Sequence, residues 1–201
     1  MPNAADILEG AILNKRLLYL VAIIFLFGSP ISWGQQRNQQ PERLAEDSTL
    51  QDTMKFIQDK LNSIGPVEYA ARAHDSSNGH DWTNKFKDEV SRLVANPSVC
   101  RIYYHWFTSV EEKVTMDKDI GFALYDVQKI RVLTREELFN SDNAQMGRTS
   151  WTAKVDPRVY VVIAERPSRE NHFVFLDQGI ANQVAKSLAH AVQLCGGKIT
   201  K

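Results

Sequence analysis

Two histidines and two carboxylates crowd one short stretch: His74, Asp75, His80 and Asp81 flank an Asn78-Gly79 pair. Imidazole nitrogen with carboxylate oxygen is a ligand set for zinc and similar ions, so this stretch is a candidate metal hairpin and a candidate hydrolytic centre. The spacing matches no zinc signature. A calcium loop starting at Asp75 would need acidic or amide ligands where Ser77 and Gly79 stand, and it fails there. Asn-Gly is a strong hairpin turn, and hairpin tips are polar by default. The favoured reading is therefore a solvated turn. His105, inside Tyr103-Tyr104-His105-Trp106, could be a base, but no nucleophile accompanies it. A strand histidine satisfied by a neighbour is the simpler reading. There is no nucleophile elbow, no phosphate-cradling glycine loop and no HExxH helix. No catalytic, metal-binding or cofactor-binding residue is expected, and an enzyme is disfavoured.

Cys100 and Cys195 are the two cysteines of the 201-residue chain. Cys100 alternates with Ile102, Tyr104 and Trp106, and Cys195 continues the apolar stripe Ile180, Val184, Leu188, Ala191, Val192. Both phases allow burial, and an even count in an exported chain favours a bridge over two buried thiols. A bridge would close a loop of about 95 residues, which chain-entropy models value at roughly 4–5 kcal/mol.

Export is read from residues 1–34. Lys15-Arg16 precede the apolar run LLYLVAIIFLF, and Gly28-Ser29-Pro30 break it. That layout is a signal peptide with cleavage before Gln35, and the run is short for a membrane span. Ile31 and Trp33 extend it enough to keep an uncleaved signal anchor as the alternative. After cleavage no membrane segment remains, which places the protein in the periplasm or medium. Residues 35–48, glutamine-rich and polar, read as a disordered linker.

The chain carries 24 basic and 24 acidic side chains. Such neutrality gives no electrostatic footprint for nucleic acid. Hydrophobic content of 43% suits one globular domain over 49–197, followed by a tail over 198–201.

The elements that would position these residues follow from periodicity. Leu50, Met54, Ile57, Leu61 and Ile64 predict a helix over 49–64, stopped by Gly65-Pro66. Residues 67–74 alternate as a strand. Residues 82–95 fit either period, and the preceding hairpin turn tips them to strand. Strands follow over 99–108, 114–124 and 127–133. Bulky groups on both faces of 99–108 suggest that both are partly covered. Residues 134–156 read as a long polar loop. Strands over 159–164 and 173–176 precede a helix that Asp177 caps and Gly196-Gly197 ends. The expectation is an α+β fold: an N-terminal helix, about seven antiparallel strands curled into a partly open barrel or sandwich, and a C-terminal capping helix.

From Cys100 onward the chain resembles the pleckstrin-homology-like fold, on Ala123-Leu124-Tyr125-Asp126-Val127, on residues 159–163 and on the ending FVFLDQGIANQVAKSLAHAVQLCGG. The exported part as a whole resembles a group of secreted bacterial proteins without assigned activity, on Thr49-Leu50-Gln51-Asp52-Thr53 and Leu194-Cys195-Gly196-Gly197. The resemblance implies a fold and no activity. Many pleckstrin-homology domains bind phosphoinositides through a basic hairpin. Here Val110-Glu111-Glu112-Lys113 and residues 75–81 are acidic overall, so lipid binding is not carried over.

The functional expectation is an exported, non-enzymatic binding module for a protein or peptide partner. Met146 and Trp151, in the segment 134–156, are its expected contacts. The alternative is a metal-dependent or hydrolytic enzyme built on His74 and His80.

Overall fold

A computed structural model describes residues 48–200. The targeting segment and, except for Ser48, the linker lie outside the described residues. The first helix, α1 (Leu50–Ser63), starts where Thr49 accepts a hydrogen bond from the Asp52 amide and ends at Gly65, whose φ of +67° suits glycine. Its stripe Met54, Ile57, Leu61 is buried as the spacing requires.

Two long hairpins follow. β1 (Val67–Asp75) pairs with β2 (His80–Asn96), β2 with β3 (Arg101–Val110), and β3 with β4 (Lys113–Ala123), all antiparallel. The segment that fits both periods is strand throughout. Its β-bulge explains the ambiguity: Arg92 takes φ 52°, the register shifts between Ser91 and Val94, and the large apolar residues among the inward positions are Trp82, Phe86, Val90 and Leu93. Steps of four, four and three imitate a helix.

A short 3-10 turn at Leu124–Asp126 takes the chain off this sheet. β5 (Lys129–Thr134), β7 (Tyr160–Arg166) and β8 (Arg169–Phe175) form a second antiparallel sheet in the order β5-β7-β8. Between β5 and β7 lie α2 (Arg135–Gln145) and β6 (Trp151–Val155), and β6 returns to the first sheet beside β1. α3 (Gln178–Leu194) closes the chain, with Asp177 accepting from the Ile180 amide as its cap. The first sheet thus has five strands in the order β4-β3-β2-β1-β6.

Two expectations need correction. Among the described residues eight strands form two sheets, where the expectation is about seven in a partly open barrel or sandwich; the sheets do not close into a barrel, because β4 pairs only with β3 and β5 only with β7. The segment 134–156 is a helix and a strand rather than a loop. The outer face of β3 is partly covered, as expected: Arg101, His105 and Phe107 are half-buried, and only Tyr103 is exposed, its ring lying over Gly121, where a Cβ would come within 2.7 Å of it.

The main core lies between α1, α3, the inner face of β2–β4 and the face of the second sheet carrying Phe173 and Phe175. Cys100 and Cys195 are joined there, with Cα atoms 5.9 Å apart. The bridge ties the end of α3 to the turn before β3. The tail is held as well: Thr200 donates to the Gln128 carbonyl from both its amide, at 2.8 Å, and its hydroxyl, at 3.0 Å.

Both flanking helices grip strand backbone with side chains four residues apart. On α1, Asn62 makes paired bonds with the Leu93 amide and carbonyl at 2.8 and 2.9 Å, and Gln58 accepts from the Ala95 amide at 3.0 Å. On α2, Asn140 pairs with Ala153 at 2.7 and 3.2 Å, and Glu136 accepts from the Val155 amide at 3.0 Å. One helical turn rises 5.4 Å and two strand residues about 6.6 Å, so i and i+4 on the helix match j and j−2 on the strand.

Candidate ligand groove

The inner face of the five-stranded sheet continues beyond the core towards the β1–β2 hairpin tip. There the side chains become small on β1 and large on its neighbours. Ala71, Ala73 and Ala153 make a floor. Trp82 and Trp151 form one wall, their rings 4.7 Å apart and steeply inclined at 69°. Phe86 and Phe139 close the opposite end at 5.4 Å. Between the aromatic ends sit the carboxamides of Asn84, on β2, and Asn143, one turn beyond Phe139 on α2. The depression they enclose is open to solvent on one side and holds about 120 Å³. No charged side chain lines it.

Several contacts pin α2 beside this groove. Thr134 and Glu137 form a capping box at its start. Arg135 Nε donates to the Tyr69 hydroxyl at 2.8 Å, which donates to Asp88 at 2.7 Å. Burial pushes the Tyr69 hydroxyl far above its ordinary pKa, so it stays protonated and can donate. The Arg135 guanidinium also lies over the Phe139 ring, 4.7 Å from its centroid. Arg148 does the same for Trp151 at 4.9 Å.

The hairpin that the sequence singles out as a metal candidate does not converge. His74 pairs across the hairpin with Asp81, and Asp75 with His80. Adjacent cross-strand pairs point to opposite faces of a sheet, so the four side chains divide two and two. His74 Nδ1 lies 2.8 Å from Asp81 on the outer face. On the inner face His80 stacks on Trp82 at 5.6 Å. Asp75 is spent on the turn: the Ser77 hydroxyl and amide donate to it, and with help from Ser150 and Trp151 they lower its pKa to about 2. Among the described residues no group of three or more His, Cys, Asp or Glu is placed to hold a metal ion.

His105 lies on the outer face between Asp117 and Asp119, each 3.0 Å from a ring nitrogen, with Arg92 on Asp119 at 3.0 Å. It is a strand histidine satisfied by neighbours, as expected. Of the two expected contact residues, Trp151 lines the groove, while Met146 stands outside it at the end of α2, 58% exposed. Sequence reading missed Trp82, Asn84, Asn143 and the alanine floor. The visible signal was the pair Ala71 and Ala73 opposite a tryptophan across an Asn-Gly hairpin. Comparison with protein-family models, with curated proteins and with solved structures finds no match for this chain.

Proposed function

We propose that residues 49–197 are a non-enzymatic binding module of an exported protein, and that its ligand enters the groove between Trp82 and Trp151. The observation that carries this reading is an uncharged aromatic depression, open on one side, with Arg135 and Arg148 stacked on two of its rings but absent from its lining. Concave, mostly apolar sites with a few placed polar groups are the usual form of a ligand site. Export is supported by the Cys100–Cys195 bridge, since disulfides persist in oxidising compartments. No helix among the described residues is long and apolar enough to cross a membrane.

The partner follows the expectation of a protein or peptide, with one restriction. Asn140 and Glu136 already occupy the backbone groups of Ala153 and Val155 along the free edge of β6. Recognition there proceeds through groups entering the groove, not through an added strand. Met146, beside the groove, faces the body of the partner. The pleckstrin-homology-like likeness belongs to the same proposal; what supports it is a four-strand meander followed by a three-stranded sheet and a closing helix. The enzyme alternative loses its support with the division of the histidines between two faces.

The test is a photo-crosslinker at residue 146 in exporting cells. The reading expects a discrete adduct that disappears when Trp82→Ala and Trp151→Ala are combined. An adduct indifferent to both substitutions would remove the groove from the binding site.

A further inference from the structure

The groove is more selective than an apolar slot, and its chemistry narrows what enters it. We infer that it takes a neutral sugar ring, a single hexopyranose unit of an oligosaccharide carried by that protein partner. This rests on the groove being the binding site and names the class of ligand.

Shape comes first. The depression is bounded at both ends, by Trp82 with Trp151 and by Phe86 with Phe139. A run of peptide needs a channel that continues in both directions. A box of about 120 Å³ suits one ring instead. The apolar faces of a pyranose, made of C–H groups, fit against indole and phenyl faces and the alanine floor.

Polarity comes second. A carboxamide offers a donor and an acceptor side by side, and a sugar hydroxyl is both donor and acceptor. Asn84 and Asn143 stand midway between the aromatic ends, where the equatorial hydroxyls of an enclosed ring would lie. Neither carboxamide bonds to another described residue, in contrast to Asn140, which is fully committed to Ala153.

Charge comes third, and it rejects the strongest competitor. Four aromatic rings around a small space could also cage a quaternary ammonium group. Here two of the four rings already carry guanidinium groups, Arg148 on Trp151 and Arg135 on Phe139, neither of them among the lining residues. A third cation between them would meet like charge. An anion would find no cationic donor among the lining residues. A neutral, polyhydroxylated ring meets neither obstacle.

The experiment is calorimetric titration of the exported chain with maltotriose, cellotriose and tri-N-acetylchitotriose, with choline and a proline-rich peptide as competing probes. At least one trisaccharide should bind, and Asn84→Ala and Asn143→Ala should each weaken it about tenfold, the loss of one hydrogen-bonded group. Unchanged circular dichroism would certify both variants as folded; should either misfold, Asn143→Asp serves as the replacement. Absence of binding by all three sugars at millimolar concentration overturns the inference, as does sugar binding indifferent to both asparagines. Binding of choline or the peptide in place of sugar overturns it too, and leaves the module reading standing. Loss of the residue-146 adduct's dependence on the tryptophans would fell both.

Discussion

The inner face of the five-stranded sheet is used in two ways. At the bulged end of β2, Leu93, Ile102, Tyr104 and Phe122 disappear beneath α1, α3 and the second sheet. At the hairpin end, Trp82 and Trp151 remain half-buried over alanines, with α2 only flanking them. The same strands, with the same alternation, make a dry core in one place and a ligand-sized hollow in the other. The difference is what the covering helix presents. α1 brings Met54, Ile57 and Leu61, whereas α2 brings Leu138 to the second sheet and leaves Phe139 and Asn143 over the groove. Both helices hold strand backbone with paired side chains, but α1 uses two amides and α2 uses an amide and a carboxylate.

The comparison breaks first where the core is densest. Phe173→Ala should cost about 3–5 kcal/mol in urea unfolding, because the ring is fully buried and its neighbours cannot collapse into the space. Trp82→Ala, at the open end, should cost less than about 1.5 kcal/mol on the same scale while eliminating ligand binding. Equal costs would mean that the groove is core. Removing the bridge with Cys100→Ser and Cys195→Ser together should lower stability by about 2–5 kcal/mol, measured in the same way.

A smaller effect separates the two helix clasps. The Val155 amide, with Lys154, holds Glu136 below the usual carboxylate range. A depressed folded pKa stabilises above the unfolded value, about 4.3, and that contribution fades as pH falls through the folded value. Hydrogen-exchange protection at Val155 should therefore drop between pH 5 and pH 3. Protection at Leu93 and Ala95, held by Asn62 and Gln58, should not. Asp75 acts in the same direction at the hairpin tip, its contribution vanishing as pH approaches about 2.

The smallest effect concerns Asp142. Burial raises its pKa, so its folded form favours the proton. That preference stabilises the fold at low pH and is lost as pH rises through the folded value. Asp142→Asn should raise the melting temperature slightly at pH 7 and leave it unchanged at pH 3, by calorimetry.

What could be read from the sequence follows the strength of the apolar signal. The stripe of α1, the stripe and cap of α3 and the Cys100–Cys195 pairing were all legible because burial repeats at a fixed period. Ser187 departs from that pattern: it is 1% exposed although polar, and it returns its hydroxyl to the Gln183 carbonyl. α2 was illegible as a helix because only Leu138 is buried and its hold on the sheet comes from Glu136 and Asn140. Its capping box, Thr134 with Glu137, was nevertheless present in the sequence. Of the nine residues that line the candidate site, Trp151 alone was legible as a contact. The rest depends on β6 crossing back beside β1, a long-range pairing that local periodicity does not contain.

The central claim is that the Trp82–Trp151 groove is where the ligand sits. The chain has four tryptophans, and their indole N–H resonances report on separate places. In a two-dimensional nitrogen–proton spectrum titrated with the trisaccharide that binds, the Trp82 and Trp151 signals should shift together with one dissociation constant, while Trp106, in the strand facing His172, stays fixed. A titration that moves Trp106 and leaves Trp82 and Trp151 in place would contradict the account.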